Sequence, residues 1–268
     1  MIKIRSSILS SWNDCPRRNA LKLMRDVIDE AGFQINYEPK VVKIYNAFGK
    51  SIHKGSQRIV ENKISNQTIS LEDTQDVCIE KLREEVSDGV EWDDISPNMN
   101  NTEKQVLRTS KMYFMTIVPL LEPIETEKYY EAKIDENYLL TGHLDILCEK
   151  SLRDTKTGKS AYGHKAQLGG YAILRLSNSD MKPEALFIDH LRRTSMKKNL
   201  ELPTIVEYKG DTVKNCIDDA HFIINQIISQ TNMFLDTCEP RCYPANTMSF
   251  ICSEKYCPAY NTDWCKIK

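Results

Sequence analysis

No stretch of the 268 residues is long and apolar enough to cross a bilayer. A spanning helix needs about 20 apolar residues, and the best run here, Ile117–Leu121, carries Pro119 inside it. The opening Met-Ile-Lys-Ile-Arg-Ser-Ser has none of the apolar core of a signal peptide. The expectation is a cytoplasmic protein with no membrane partner. Glycine and proline are sparse at 10 each, which excludes collagen-like and low-complexity chains. Net charge is also lacking: 36 Lys and Arg stand against 38 Asp and Glu, so bulk charge names no partner. No internal repeat is present, which excludes solenoid architectures.

Cysteine is not lacking. There are nine, an odd number, so they cannot all pair internally. In a reducing compartment they read as metal ligands, cluster ligands or core thiols rather than disulfides.

The near-zero net charge hides a local pattern. Residues 1–60 carry 11 bases against 5 acids, residues 61–100 carry 11 acids against 3 bases, and residues 150–200 carry 11 bases against 4 acids. Two basic segments around an acidic one can meet as a phosphate-binding groove, or they can be solvated faces with compensating charge.

Apolar periodicity predicts helices over 17–30, 42–63, 71–87, 102–118, 164–177 and 211–236, with a loop at 92–101. Strand composition marks 127–135, 138–148, 152–157, 184–191 and 205–208. Gly32 closes the first helix, and Pro16 suits a first helical turn because its missing N–H is an orphan there. The order predicts one α/β domain over 1–268, with a helical insertion at 64–120 and a Cys-rich tail at 238–268.

The most informative residues are Gly142-His-Leu-Asp145 and, ten residues on, Asp154-Thr-Lys156. Asp154 and Lys156 are two apart, so on a strand they share a face. If the hairpin turns tightly at Glu149-Lys150, residue 145 lies opposite 154, with Cβ atoms about 5 Å apart. Two carboxylates so placed repel unless a cation neutralises them. Hard oxygen ligands with few protein contacts suit Mg²⁺ or Mn²⁺. Lys156 can position a water and offset negative charge in a transition state. The alternative is a solvent-facing hairpin with an ordinary Asp–Lys pair.

Four motifs now stand in order: Gly49-Lys-Ser-Ile-His53, Gly142-His-Leu-Asp145, Asp154-Thr-Lys156 and Gln167-Leu-Gly-Gly-Tyr171. Together they resemble the PD-(D/E)XK nuclease superfamily in its RecB-like exonuclease branch. The resemblance implies a restriction-endonuclease-like core, with a central mixed sheet flanked by helices. It implies that Asp145, Asp154, His53 and the Thr155 main-chain carbonyl hold Mg²⁺ or Mn²⁺. Lys156 would assist the attacking water, and Gln167 and Tyr171 would touch the DNA backbone or the water network of the site. The implied activity is metal-dependent exonuclease cleavage of single-stranded or end-bearing DNA, with backbone contacts and weak sequence preference. Recombination, repair, phage replication and CRISPR adaptation are all fitting settings, each with its own partner proteins; a phage-encoded chain would work in the host cytoplasm. A non-catalytic DNA-binding or scaffold subunit that keeps the fold and a structural metal centre is the alternative.

Cys15 lies in a Cys-Pro-Arg context, and Cys252, Cys257 and Cys265 lie in the tail. The resembled branch includes the AddB nuclease domain and CRISPR adaptation nucleases, where one early and three late cysteines hold a 4Fe–4S cluster. The late spacing in those is Cys-x2-Cys-x5-Cys, whereas here it is Cys-x4-Cys-x7-Cys. An iron–sulfur cluster, a zinc ion and free thiols therefore all stay open for Cys15, Cys252, Cys257 and Cys265. Cys238 and Cys242 are substitutes or bystanders, and Cys78, Cys148 and Cys216 read as core thiols.

Overall fold

A computed structural model describes residues 1–35, 41–68, 70–179 and 181–265. Position 69 of the expected insertion and positions 266–268 of the expected tail lie outside the described residues, as do 36–40 and 180. The elements run β1 (Ile2–Arg5), α1 (Ser6–Trp12), α2 (Pro16–Leu23), α3 (Arg25–Glu30), β2 (Val42–Lys43), α4 (Ile44–Ile64), α5 (Leu71–Val86), β3 (Val90–Glu91) and α6 (Met99–Thr116). They continue with β4 (Pro123–Lys133), β5 (Tyr138–Cys148), β6 (Ser151–Lys156), α7 (Lys165–Asn178), β7 (Ala185–His190), β8 (Thr204–Lys209) and α8 (Asp211–Thr237).

Local differences from the expected elements have visible causes. Met24, at φ −125° and ψ 29°, breaks the single helix expected over 17–30 into α2 and α3. Gly32 then closes α3 with a φ of +83°. Helix α6 begins at Met99, earlier than expected, because the Asn98 side chain accepts the Asn101 N–H at 3.0 Å and caps it. Strand β1 was not expected at all; it pairs in parallel with β5 from Ile2 opposite Tyr138 to Arg5 opposite Thr141.

The main sheet is mixed and six-stranded, in the order β1-β5-β6-β7-β8, with β4 also on β5. Strand β4 runs antiparallel along most of β5. The other edge of β5 is shared: β1 takes 138–141 and β6 takes 146–147. Gly142–Asp145 lies in the gap between them. Helix α7 carries the crossover from β6 to the parallel β7. A buried bidentate pair, Arg153 Nε and Nη2 to Asp189 at 2.8 and 2.6 Å, pins those two strands together. Helices flank the sheet on both sides, so the chain forms the expected α/β core, a central mixed sheet between helices, an arrangement consistent with a restriction-endonuclease-like fold.

Two apolar cores result. The first packs α1, α2, α7 and α8 with Tyr138, Leu140, Leu144 and Leu147 of β5. The second packs α4, α5 and α6 with Ile146, Cys148 and Leu191. Upstream of Asp145, then, β5 serves only the first core; downstream it serves both.

Glycine lets helices come close. A Cβ at Gly169 would stand 1.8 Å from the Cys216 carbonyl oxygen, and one at Gly170 would stand 2.8 Å from Leu9 Cδ1, so α7 meets α8 backbone to backbone and α1 backbone to side chain. Cys78, Cys148 and Cys216 are buried in regular elements, as expected of core thiols. Burial pushes the Cys78 thiol up to about 12 and the Cys216 thiol up to about 11, which leaves both unreactive. Among the described residues no helix is long and apolar enough to cross a membrane.

Candidate metal and phosphodiester site

The site stands where the two cores meet. Strands β5 and β6 pair at Ile146 with Arg153 and at Leu147 with Leu152, the register expected from a tight turn at 149–150. The ladder ends one step before Asp145 and Asp154 would pair. Instead the Thr155 N–H donates to Asp145 Oδ2 at 3.0 Å. Thus two carboxylates come together at the point where backbone pairing ceases.

Asp154 is fully buried. Lys156, on the same strand face, places Nζ 2.7 Å from its Oδ2 and donates to Oδ1 at 3.0 Å. Despite that close ammonium, Oδ2 makes no hydrogen bond of its own. A buried carboxylate oxygen in that state is available to a further cationic or donor partner.

Helix α4 brings His53. Its Nδ1 is 3.4 Å from Asp145 Oδ2, and the ring stands near the main chain of Thr155. The glycine of Gly49-x-x-x-His53 has a steric role. A Cβ there would stand 2.9 Å from Thr157 Oγ1, so Gly49 sets α4 against the end of β6 and His53, one turn on, reaches the acids.

Glu127 is the residue that sequence reasoning missed. Strand β4 pairs Thr126 with Ile146 and Lys128 with Leu144, which places Glu127 opposite Asp145. The Thr126 hydroxyl donates to the Asp145 carbonyl at 2.7 Å and holds that register. Glu127 itself takes a φ of 48°, a left-handed conformation that costs a non-glycine residue about 1 kcal/mol or more. One donor atom each from His53, Glu127 and Asp145 lie within 4.8 Å of one another. This set of one imidazole and two carboxylates can hold a divalent cation. Asp154 lies outside that set, clamped by Lys156 immediately beside it.

The electrostatics agree. Burial, and after it the neighbouring Glu127, push Asp145 up to about 6 against the pull of Lys156. Burial and then Asp145 push Asp154 up to about 6. Burial and then Asp154 raise Glu127. Burial and then Lys156 lower His53, which favours the neutral, metal-binding imidazole. Burial opposes the Lys156 ammonium, but Asp154 and Asp145 outweigh it and raise its pKa. Asp145 and Asp154 share the Lys156 ammonium, Glu127 has Lys54 and Lys156 nearby, and a divalent cation would relieve all three acids.

Gln167 and Tyr171 meet one turn apart on α7, with Gln167 Nε2 donating to Tyr171 Oη at 2.8 Å. Both are buried. Tyr171 is raised well above its usual value by burial and then by Asp154 and Asp145, which places it beside the acids. Gly142 makes room for it: a Cβ there would stand 3.1 Å from Tyr171 Cε1. Sequence thus named His53, Asp145, Asp154, Thr155, Lys156, Gln167 and Tyr171, and the fold gathers all of them.

The four candidate cysteines also gather. Cys15, Cys252, Cys257 and Cys265 line one cavity of about 10 Å³ beside Arg18, while Cys238 and Cys242 do not line it. Burial raises the Cys257 and Cys265 thiols, with Cys15 among the neighbours of each. Aromatic packing fixes the tail there: the Trp264 indole donates to the Arg17 carbonyl at 2.9 Å, and Arg17 Nε donates to the Tyr243 carbonyl at 2.9 Å.

No known family profile matches the chain, and no curated protein sequence is significantly similar to it. Among solved structures, the chain is similar to one from Eubacterium rectale described as a proposed exonuclease. The two share 12% identity over 65% of this chain and 66% of the other, just under two thirds of its length, with a TM-score of 0.39. A superposition that loose fixes neither family nor activity.

Proposed function

We propose that this chain is a metal-dependent nuclease of the PD-(D/E)XK, RecB-like kind, hydrolysing phosphodiester bonds of single-stranded or end-bearing DNA. One observation carries the reading: a His53–Glu127–Asp145 donor set lies directly beside a buried Asp154–Lys156 pair. A structural ion pair has no need of three crowded acids, two of which, Asp145 and Asp154, are pushed up to about 6 while burial raises the third, Glu127.

In this reading His53, Glu127 and Asp145 hold Mg²⁺ or Mn²⁺, with Asp154 and the Thr155 carbonyl completing the shell. When bound, the metal supplies Lewis-acid charge at the scissile phosphate. Lys156 supplies the remaining positive charge. Its ammonium, held by Asp154, donates toward the attacking water or the phosphate oxygens, where negative charge grows. Gln167 and Tyr171, held together by their mutual hydrogen bond and close enough to Asp154 and Asp145 to feel their charge, contact the DNA backbone or the water network of the site. Lys54, one residue past His53, adds charge next to Glu127. Recombination, repair, phage replication or CRISPR adaptation would each supply such ends.

End-labelled single- and double-stranded DNA, incubated with Mg²⁺, Mn²⁺ or EDTA, tests this. Cleavage with metal, absent in EDTA and reduced about 10²-fold or more in Lys156→Ala, is expected. Its ladder of products would give polarity. A metal-replete protein that binds DNA and leaves it intact would instead favour the scaffold reading.

The cysteines fit a structural centre that ties the two ends of the fold together. No three of the four sulfurs come within 4.8 Å of one another among the described residues. Four thiolates around one zinc, at a Zn–S distance of about 2.3 Å, stand about 3.8 Å apart. A four-iron cluster spaces its thiolates wider, but the cavity between these four has only about 10 Å³, room for about one atom, so both centres stay open. Metal analysis after anaerobic purification separates them: about four irons and four sulfides per chain for a cluster, one zinc per chain for a zinc site, and in either case loss of the metal from Cys257→Ser.

A further inference from the structure

Beside the metal set lies an exposed surface that the proposed chemistry does not use. Two residues along β4 from Glu127 is Tyr129, and two residues back along β5 from Asp145 is His143. They are paired directly across the strands, and their rings touch at a tilt of 48° with centroids 5.0 Å apart. Tyr129 is 43% exposed, and His143 is exposed beside it. His143 Nδ1 also lies 3.4 Å from the Glu127 carbonyl, so the pair abuts the metal set itself.

The surface continues past Tyr129. Lys3 places Nζ 5.9 Å from the centre of the Tyr129 ring and 2.8 Å from Glu131 Oε1. Lys3 is also in the wall of a cavity of about 210 Å³ whose other polar walls are Arg5, Lys22, Ser7 and Ser11. Neither Arg5 nor Lys22 has a carboxylate partner among the described residues. The Lys22 ammonium is lowered first by desolvation and then by the nearby Arg18 and Arg5 charges, which puts it among other cations. Two unpaired cations and two hydroxyls in a concave wall suit phosphate oxygens. An exposed tyrosine ring with a histidine ring against it suits the face of a base, which every nucleotide offers.

We infer that this face of β1, β4 and β5 is the track of a single-stranded polynucleotide leading away from the metal set, with a base stacked on Tyr129 and His143 and the following phosphates in the Arg5–Lys22 cavity. The inference rests on the nuclease reading and extends it to the substrate: the strand is single and is gripped on one side of the scissile bond. Duplex DNA keeps its bases stacked on each other and cannot offer one to Tyr129.

Binding in EDTA, where nothing is cut, tests the track separately from catalysis. Fluorescence anisotropy is read with labelled oligothymidylate and with an abasic oligomer of equal length. The full chain is expected to prefer the oligomer with bases about tenfold; Tyr129→Leu, which keeps a strand-compatible apolar residue, is expected to lose that preference. The double variant Arg5→Gln, Lys22→Gln is expected to flatten the slope of log affinity against log salt by about 1.4, or about 0.7 for each phosphate no longer neutralised. An unchanged preference in the first variant, or an unchanged slope in the second, overturns the track. Melting temperatures equal to that of the unsubstituted chain exclude misfolding as the cause. If the unsubstituted chain cleaves DNA with Mn²⁺ but shows no base preference, the track alone is wrong. If it neither binds nor cleaves, the nuclease reading falls with it.

Discussion

Asp154→Asn is expected to abolish metal-dependent cleavage and, in the same protein, to raise the stability of the metal-free chain above pH 6. The two effects have one source. Asp154 is fully buried, and its carboxylate is pushed up to about 6, so its charged form is the unfavourable one inside the fold. A displacement of about two pH units corresponds to roughly 3 kcal/mol between the charged and neutral forms. An amide of the same shape carries no charge to desolvate. Some of the gain is returned because Lys156 loses its 2.7 Å partner. A net gain on the order of 1–2 kcal/mol is expected, which for a chain of this size is a melting shift of several degrees. Cleavage should fall about 10³-fold or more, since charge at the reacting phosphate and the placement of Lys156 are removed together. Thermal melts at pH 8 in EDTA and a cleavage assay with Mn²⁺ measure both. A variant that is inactive because it is less stable would refute the argument, and so would one that keeps its activity.

The second large effect joins pH to metal. Asp145 and Asp154 both have pKa values near 6 in the folded chain, against an ordinary value of 3.8. Between those values the folded chain holds more protons than the unfolded one. Stability from this source is full below about pH 4 and is lost as pH rises through 6. The metal-free protein should therefore melt lower at pH 8 than at pH 5. A divalent cation replaces those protons, so millimolar Mg²⁺ or Mn²⁺ should raise the melting temperature strongly at pH 8 and little at pH 5. At about 100 times its dissociation constant a ligand adds about 2.7 kcal/mol. Equal shifts at both pH values would mean that the cation binds elsewhere. In Glu127→Gln the pH 8 shift should shrink, because one of the three close donors is gone.

Much of this site was legible in the sequence because strands have a period of two. Asp154 and Lys156 had to share a face, and a tight turn at 149–150 had to bring 145 toward 154. Both follow from pleat geometry, and both hold in the fold. Helix periodicity likewise found α4, α5, α7 and α8 to within a few residues.

Glu127 was not legible for a reason of the same kind. The β4–β5 hairpin turns through Asp135-Glu-Asn137, where the Asp135 carboxylate accepts the N–H groups of Asn137 and Tyr138 at 2.7 and 2.9 Å. That loop fixes the register, and one residue of slip would set Lys128 rather than Glu127 against Asp145. Nothing in the composition of the two strands decides between them. The backbone of Glu127 is also left-handed, which no pattern of apolar residues announces. Strand β1 escaped because four residues, Ile2-Lys-Ile-Arg5, are too short a run for alternation to stand out beside the helix that follows. Its partner lies more than 130 positions away in sequence. The gathering of Cys15 with the tail rests on packing by Trp12, Tyr243 and Trp264, whose rings meet only after folding.

That same packing orders events during synthesis. Trp264 closes the aromatic cluster and caps the Arg17 carbonyl, while Cys265 completes the cavity that Cys15 opens. Translation adds about 5–20 residues per second, so α2 is exposed on the ribosome for many seconds before residue 264 exists to cover it. The sheet and its carboxylates can assemble in that interval, but the flank beside them cannot. A nascent chain therefore passes through a stage with its acids in place and one side unsealed, and leaves it only when the tail returns to the residues made first.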